Sequence, residues 1–210
     1  MGSQDSTNLT LSERFRPIRV KQVAMSKLHT VVVTCESRFG NLRVCGFGSG
    51  GRLGLGQHTQ YSLVPLAQLQ HAIDAVAVGQ DHTLALTKSG DVLSWGLNRF
   101  SQLGYVIEAA SSGLSQRSFG NTDEPIQAVP RRISGPLKKE VVCGVAACKT
   151  ASACWTSEEL FTWGTNSGQL GYDKNAQPVQ ILPRKVTQLA QPVIDVAITV
   201  ITASYHLTYY

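Results

Sequence analysis

The sequence has little charge, few aromatic residues and no long apolar run. Charged residues make up 16% and aromatic residues 7% of the 210 residues, whereas 42% are hydrophobic. This composition excludes a disordered chain and predicts a globular protein with a sizeable core. No apolar stretch approaches the about 18 residues that span a bilayer, and residues 1–16 lack the apolar centre of a secretory signal. We therefore expect a cytoplasmic or nuclear protein without membrane contact.

The cysteines lack a metal-binding arrangement. Five are present, an odd number, and none forms a C-x-x-C pair, so neither a zinc site nor a disulfide framework is expected. Cys143, Cys148 and Cys154 lie in or beside apolar runs, which favours buried, reduced thiols. No catalytic trio or carboxylate pair stands out, so we assign no catalytic, cofactor-binding or metal-binding residue and expect no enzyme activity.

A repeated string organises the chain. Residues 93–98 read LSWGLN and lead to QLG at 102–104, and the same order returns at 161–171. A weaker copy lies at 44–54. The leading glycines are 96 − 46 = 50 and 164 − 96 = 68 residues apart, a spacing that indicates units stacked or arranged around an axis.

Each unit combines short strand patterns with tight turns. In the second unit we expect antiparallel strands at 73–78, 82–87 and 92–95, separated by turns that contain glycine or aspartate. Large and small side chains alternate at 82–87, with His82, Leu84 and Leu86 on one face, which is the period of a strand packed on both faces.

The order of these features resembles the regulator of chromosome condensation repeat. The second unit carries it best, with GQDHT at 79–83, WGLN at 95–98 and QLG at 102–104. The resemblance covers nearly all of residues 2–210 and implies a β-propeller, a fold commonly built from seven four-stranded blades. The sequences at 46–54 and 164–172 most resemble the propeller of the ankyrin and BTB proteins related to inhibitor of Bruton tyrosine kinase.

We expect an all-β fold, a partial β-propeller that cannot close a ring alone and is prone to association. In the third unit, Lys149 is expected where His82 stands, and Ala146 in place of Gly79. The proposed division is a partial unit at 2–19, complete units at 20–72, 73–139 and 140–192, and a partial unit at 193–210.

The second unit carries an insertion of about 15 residues. Gly104 and Pro130 are 130 − 104 = 26 residues apart, against 65 − 54 = 11 for Gly54 and Pro65. We place the insertion within Val106–Val129 and expect a loop that contacts a protein partner, with an insertion that has no partner as the alternative. The candidate contact residues are Glu108, Arg117, Phe119, Asp123 and Glu124.

The densest basic cluster consists of Arg131, Arg132, Lys138 and Lys139. A solvated edge is the favoured interpretation and a nucleic-acid patch the alternative, because no aromatic residues interleave with the cluster to stack on bases. Nucleic acid is therefore not expected as a partner.

Two other motifs invite a functional interpretation. His29 and His82 recur in separate units, which predicts a hydrogen bond within each unit rather than catalysis. Residues 46–51 match G-x-G-x-x-G, but further glycines follow where a phosphate-binding loop would need a helix. The match therefore predicts turns.

These observations favour a non-enzymatic scaffold for protein–protein interaction, without a cofactor. The resemblance to BTB proteins implies the substrate-binding or partner-binding propeller of a BTB-type ubiquitin ligase adaptor. The wider family implies two alternatives: guanine-nucleotide exchange on a small GTPase, which is possible but not favoured, and a chromatin-associated propeller. No residue of this sequence selects either alternative.

Overall fold

The computed structural model describes residues 19–36, 40–107, 124–187, 189 and 193–198. Within these residues, three four-stranded antiparallel sheets follow one another along the chain, and only two short 3-10 turns are helical. The expected all-β propeller class is confirmed. The strands are β1 (Val20–Met25), β2 (His29–Thr34), β3 (Leu42–Gly46), β4 (Gln60–Pro65), β5 (Ile73–Val78), β6 (His82–Thr87), β7 (Val92–Leu97), β8 (Ile126–Arg132), β9 (Gly144–Ala147), β10 (Ala151–Trp155), β11 (Leu160–Thr165) and β12 (Val179–Lys185).

Each sheet is one blade in which consecutive strands pair. Blade 1 contains β1–β4, blade 2 contains β5–β8 and blade 3 contains β9–β12. The predicted partial units at 2–19 and 193–210 lie mostly outside the described residues. Only residue 19 of the first unit and residues 193–198 of the second are described.

The core lies between blades rather than within one blade. Alternate side chains of a strand point to opposite faces of the sheet, so each blade offers an apolar face to each neighbour. Between blades 1 and 2, Trp95 packs with residues such as Val31 and Leu42. Between blades 2 and 3, Trp163 packs with Leu84 and its neighbours. Both tryptophans are fully buried, which fixes the blades against each other.

The outermost strand of each blade was not located from the sequence. β4, β8 and β12 are mostly exposed or half-buried in an irregular order, whereas strands such as β6 and β7 are buried throughout. The outermost strands therefore carry neither an alternating nor a uniformly apolar pattern. Each contains a proline, at Pro65, Pro130 or Pro183, which an edge strand tolerates because one edge needs no ladder hydrogen bond.

The chain turns at two opposite faces of the blades. The loop face carries the turns at 26–28, 79–81 and 148–150, the loops at 47–59 and 166–178, and the described ends, 98–107 and 124–125, of the loop after β7. The hairpin face carries the hairpins between the second and third strands and the connections from one blade to the next.

The structure corrects the expected alignment of the third unit. Ala151 pairs with Gly164 as His82 pairs with Gly96, so Ala151, and not Lys149, stands at the position of His82. Cys148 stands at the position of Gly79, because both donate their amide to the residue three positions ahead. The hairpin between β10 and β11 is one residue shorter than its counterpart in blade 2, which shifted the sequence alignment.

Candidate functional site

On the loop face, hydrogen bonds join the two ends of the second-blade loop that contains the insertion. The Asn98 amide donates to the Pro125 carbonyl at 2.8 Å. The Asn98 side chain donates to the Tyr105 carbonyl at 3.0 Å and accepts from the Leu103 amide at 2.9 Å. An ion pair between Arg99 and Glu124 lies beside this closure. The loop thus has a fixed base.

The third blade closes its shorter loop in the same way. The Asn166 amide donates to the Pro178 carbonyl, also at 2.8 Å, and the Asn166 side chain donates to the Tyr172 carbonyl at 3.1 Å. Only residues 173–176 separate Tyr172 from Gln177, whereas residues 106–123 separate the corresponding Tyr105 and Glu124. The extra residues of blade 2 therefore lie within 106–123.

The structure places one of the five predicted contact residues. Glu124 pairs with Arg99 at the base of the loop, and its side chain is 22% exposed. At the other end of the loop, Val106 is exposed, whereas Ile107 packs on the core between blades 2 and 3. Glu108, Arg117, Phe119 and Asp123 lie outside the described residues.

His29 bridges the first two blades. Its Nε2 lies 2.9 Å from Thr83 Oγ1, and that hydroxyl donates to the Arg52 carbonyl at 3.0 Å. Because the hydroxyl has one proton, the ring must donate from Nε2. The Trp95 indole donates to the same Arg52 carbonyl at 3.0 Å. Nδ1 of His29 accepts from Ser26 Oγ at 3.0 Å.

The same arrangement joins the second and third blades. His82 Nε2 lies 2.8 Å from Ser152 Oγ, which donates to the Gln102 carbonyl at 2.8 Å. The Trp163 indole donates to that carbonyl as well, at 2.8 Å. Among the described residues Nδ1 of His82 has no hydrogen-bond partner, because Gly79 stands where Ser26 stands in blade 1. A repeated histidine–hydroxyl–carbonyl–tryptophan frame therefore connects consecutive blades.

The two histidines are structural, but the expected side-chain bond within one unit forms only at His29, through Ser26, whereas the His82 ring bonds only across blades among the described residues. The Nε2 bond of each ring crosses to the next blade, because the second strand presents alternate side chains to its neighbour. Burial lowers the pKa of His29 to about 3, helped by the Arg52 and His82 charges. Burial alone lowers the pKa of His82 to about 3. Both rings are neutral at pH 7, as the frame requires.

A buried ion pair distinguishes the first blade junction from the second. Arg52 Nη2 lies 2.8 Å from Asp81 Oδ1, and the two side chains are 5% and 15% exposed. Arg52 also donates to the Phe47 carbonyl at 3.1 Å. At the second junction Gln102 and Thr150 occupy the corresponding positions and carry no charge.

Comparison with known proteins identifies the repeat. A family model described as the regulator of chromosome condensation (RCC1) repeat matches residues 73–102. BTB/POZ domain-containing protein 1 of Schizosaccharomyces pombe is 38% identical over 190 residues, which cover 90% of this chain and 13% of that protein. Inhibitor of Bruton tyrosine kinase of Mus musculus is 37% identical over 193 residues, which cover 89% of this chain and 13% of that protein.

The chain thus contains a regulator of chromosome condensation repeat and is similar along most of its length to these two relatives. It spans 13% of the length of these two curated relatives. The solved structure of yeast RCC1 (Prp20) bound to Kap60 shares the fold with a TM-score of 0.67 at 22% identity, over 88% of this chain and 41% of that one. The expected resemblance to RCC1 repeats and to BTB-related proteins is confirmed.

In this RCC1-repeat chain the predicted basic cluster divides into two parts. Arg131 stacks on Tyr105, with its guanidinium carbon 4.4 Å from the ring centre, and Arg132 pairs with Asp91. Blade 3 repeats both contacts, because Arg184 stacks on Tyr172 and Lys185 pairs with Glu159. The two arginines therefore take part in recurring contacts within a blade. Lys138 and Lys139 are exposed on the hairpin face.

The cysteines differ from expectation at one of the three positions. Cys148 and Cys154 are buried, but Cys143 is exposed, because the segment ahead of β9 borders the hairpin face. Within the described ranges, no group of three or more histidine, cysteine or acidic residues is placed to hold a metal ion. None of the helical segments described is long and apolar enough to cross a membrane.

Sequence reasoning missed the hydroxyl and carbonyl groups of the frame. Thr83 and Ser152 follow the histidine position directly, and Arg52 and Gln102 precede the repeated Leu-Gly pair. The available signal was recurrence directly after the histidine position for the hydroxyls and directly ahead of the Leu-Gly pair for the carbonyls. The Arg52–Asp81 pair has no counterpart in blade 3, so recurrence could not have found it.

Proposed function

We propose that this chain is a non-enzymatic protein-interaction module in which the second-blade insertion contacts another protein. The main support for this proposal is that the same hydrogen bond closes two loops of different length. The Asn98–Pro125 and Asn166–Pro178 hydrogen bonds are both 2.8 Å long, although residues 106–123 have only a four-residue counterpart, at 173–176. A loop closed in this way can vary in sequence without disturbing the blade, a property common among recognition loops.

The fate of the recurring polar residues supports this proposal. His29 and His82 use their Nε2 atoms between blades. The arginines at 131 and 132 make the same contacts as residues 184 and 185. These groups maintain the frame, so recognition would fall to residues that occur once.

We further propose that the module is the partner-binding propeller of a BTB-type ubiquitin ligase adaptor located in the cytoplasm or nucleus. The support is the 38% identity to a protein named for its BTB/POZ domain. In that role the insertion would hold a protein for ubiquitination while a BTB segment outside this sequence contacted the ligase.

A loop replacement tests the proposal. In a pull-down experiment, the immobilised 210-residue chain is compared with a variant in which a Gly-Ser linker replaces Ala109–Thr122. A matched control replaces residues 173–176, the corresponding loop of blade 3, with Gly and Ser. We expect a reproducible set of proteins to be retained by the natural chain and the control, and reduced about tenfold or more on the insertion variant, as for loss of a binding hot spot. Equal retention on all three chains would overturn the proposal.

A nucleotide-release assay distinguishes a nucleotide-exchange factor from the proposed interaction module. The chain is added to a panel of small GTPases loaded with a fluorescent nucleotide. The interaction module predicts release at the intrinsic rate. Clear acceleration that survives the insertion replacement would favour an exchange factor instead.

A further inference from the structure

A cavity of about 380 Å³ opens on the hairpin face between blades 2 and 3. Leu86 and Val142 are buried residues that line it, and Val141 lies at its rim with 68% of its surface exposed. The Val142 amide donates to the Gly90 carbonyl at 3.0 Å, which holds the segment ahead of β9 against the hairpin. The cavity thus combines apolar side chains with polar ones, among them Thr87 and Lys88, on a fixed backbone.

The corresponding place between blades 1 and 2 is bridged by a side chain. Asn41 donates to the Ile73 carbonyl at 2.7 Å and accepts from the Ile73 amide at 2.9 Å. Asp91 stands at the position of Asn41 in blade 2 but pairs with Arg132 instead. The cavity is therefore a feature of the second junction, and the repeated frame does not account for it.

The rim of the cavity carries unbalanced positive charge. Lys88 lines it, and Lys138 and Lys139 lie on the exposed segment that runs into Val141. These three lysines form no ion pair within the part of the chain that the structure describes. The acid in the lining, Asp74, is already paired with Lys21 at 2.5 Å.

One further acid lies close in sequence. Glu140 is half-buried. The pKa of Cys154 on β10 is raised first by burial of the thiol and second by the negative charge of Glu140. Glu140 is therefore electrostatically coupled to a buried residue of blade 3. Its charge would offset part of the field of the three lysines but would leave an excess of cations at the rim.

We propose that this cavity binds one aliphatic side chain of an acidic protein segment. Val141 at the rim supplies the exposed apolar contact, with the buried Leu86 and Val142 behind it in the lining, and Lys88, Lys138 and Lys139 attract the flanking carboxylates. A nucleic acid fits less well, because the cavity lining has no aromatic side chain for base stacking and three lysines make a short track for phosphates. This surface lies on the hairpin face and is independent of the insertion proposed above.

A peptide titration tests the assignment. The probe is a fluorescein-labelled decapeptide of aspartate and glutamate with one central leucine, and its anisotropy is followed as the 210-residue chain is added. A matched peptide has alanine in place of leucine. We expect saturable binding that weakens about fivefold or more with the alanine peptide, because the buried aliphatic group is lost.

Charge-reversal variants locate the bound peptide. The chain with Lys88→Glu and Lys139→Glu should bind about tenfold or more weakly. Lys149→Glu with Lys174→Glu makes the same charge change on the loop face and should leave binding within about twofold. All four lysines are exposed, so folding is expected to survive, and each variant is checked by its thermal melt.

Three results would overturn the proposal. One is no saturation up to about 1 mM chain, the limit of a weak specific contact. Another is equal affinity for the leucine and alanine peptides, or equal loss in both lysine variants, which would show nonspecific charge attraction. The third is a DNA duplex that binds with dependence on Lys88 and Lys139 while the peptide does not, which would make the surface a nucleic-acid site.

Discussion

In the second blade the loop after β7 runs from Asn98 to Pro125, whereas in the third blade the loop after β11 runs from Asn166 to Pro178. Both loops are closed by the same hydrogen bond, and both asparagine side chains hold the carbonyl of the following tyrosine. The two blades thus share the contacts that close the loop and differ in the length and sequence of the loop itself. Recurrence separates the residues that build the frame from those that can carry function.

The comparison extends to the turn between the first two strands. In blade 2, Asp81 forms a buried ion pair with Arg52 of the preceding blade. In blade 3, Thr150 occupies this place opposite Gln102, and the junction relies on the uncharged frame and apolar packing. A charged contact between consecutive blades is therefore an addition to the frame and can specify which blades adjoin.

The largest expected effect comes from breaking this ion pair. Asp81→Ala should lower the free energy of unfolding by about 3–5 kcal/mol, because it leaves the Arg52 charge buried without a partner. Thr150→Ala at the matching position of blade 3 should cost below about 1 kcal/mol. Urea unfolding of both variants at pH 7 measures the difference, and equal losses would remove the distinction between the two junctions.

The closing asparagines should behave alike in the two blades. Asn98→Ala and Asn166→Ala should each cost about 2–3 kcal/mol, because each removes hydrogen bonds to buried backbone groups. The same urea experiment measures both. If Asn166→Ala were costly and Asn98→Ala nearly neutral, the long loop of blade 2 would not depend on the common closure.

The histidines should make stability fall with acid. The unfolded rings bind protons below about pH 6.5, whereas the folded rings of His29 and His82 do so only near pH 3. Stability is therefore fully present above pH 6.5 and is lost as the pH falls toward 3, by about 2 kcal/mol for each ring at pH 5. Urea unfolding at pH 7 and pH 5 measures the loss.

A single-histidine variant supplies the control for this pH dependence. His82→Asn removes one titrating ring and should roughly halve the loss between pH 7 and pH 5, whatever its stability at pH 7. Blade 3 carries Ala151 at the same position and contributes nothing to this slope. An unchanged slope in the variant would assign the acid sensitivity to other groups.

Much of this frame could be predicted from the sequence, because it repeats. Strands β5, β6 and most of β7 follow from alternation, glycine turns and the Trp-Gly string. The outermost strands could not be located, since their residues are neither alternating nor uniformly apolar. The third unit was misaligned at Lys149 because a hairpin one residue shorter leaves no mark in composition.

The candidate sites were less predictable, for a physical reason. A local pattern shows which residues share a strand but not which blades meet, so the bond from His82 to Ser152 across 70 residues remained hidden. The cavity beside Val141 depends on Asp91 turning to Arg132 where Asn41 bridges the other junction. Such differences depend on pairing between distant segments. The insertion, by contrast, was predictable from spacing alone.

The most direct test of the central claim, that the insertion is separable from an unchanged frame, is the stability of a chain with the shorter loop. Residues 108–123 are replaced by Asn-Ala, the two residues at 175–176, so that the segments after Tyr105 and Tyr172 have the same length and Ile107 is kept. Urea unfolding should give a free energy within about 1 kcal/mol of the natural chain, because loop length changes stability only weakly. A loss of more than about 3 kcal/mol, the size of a core defect, would contradict the claim and make the insertion part of the fold.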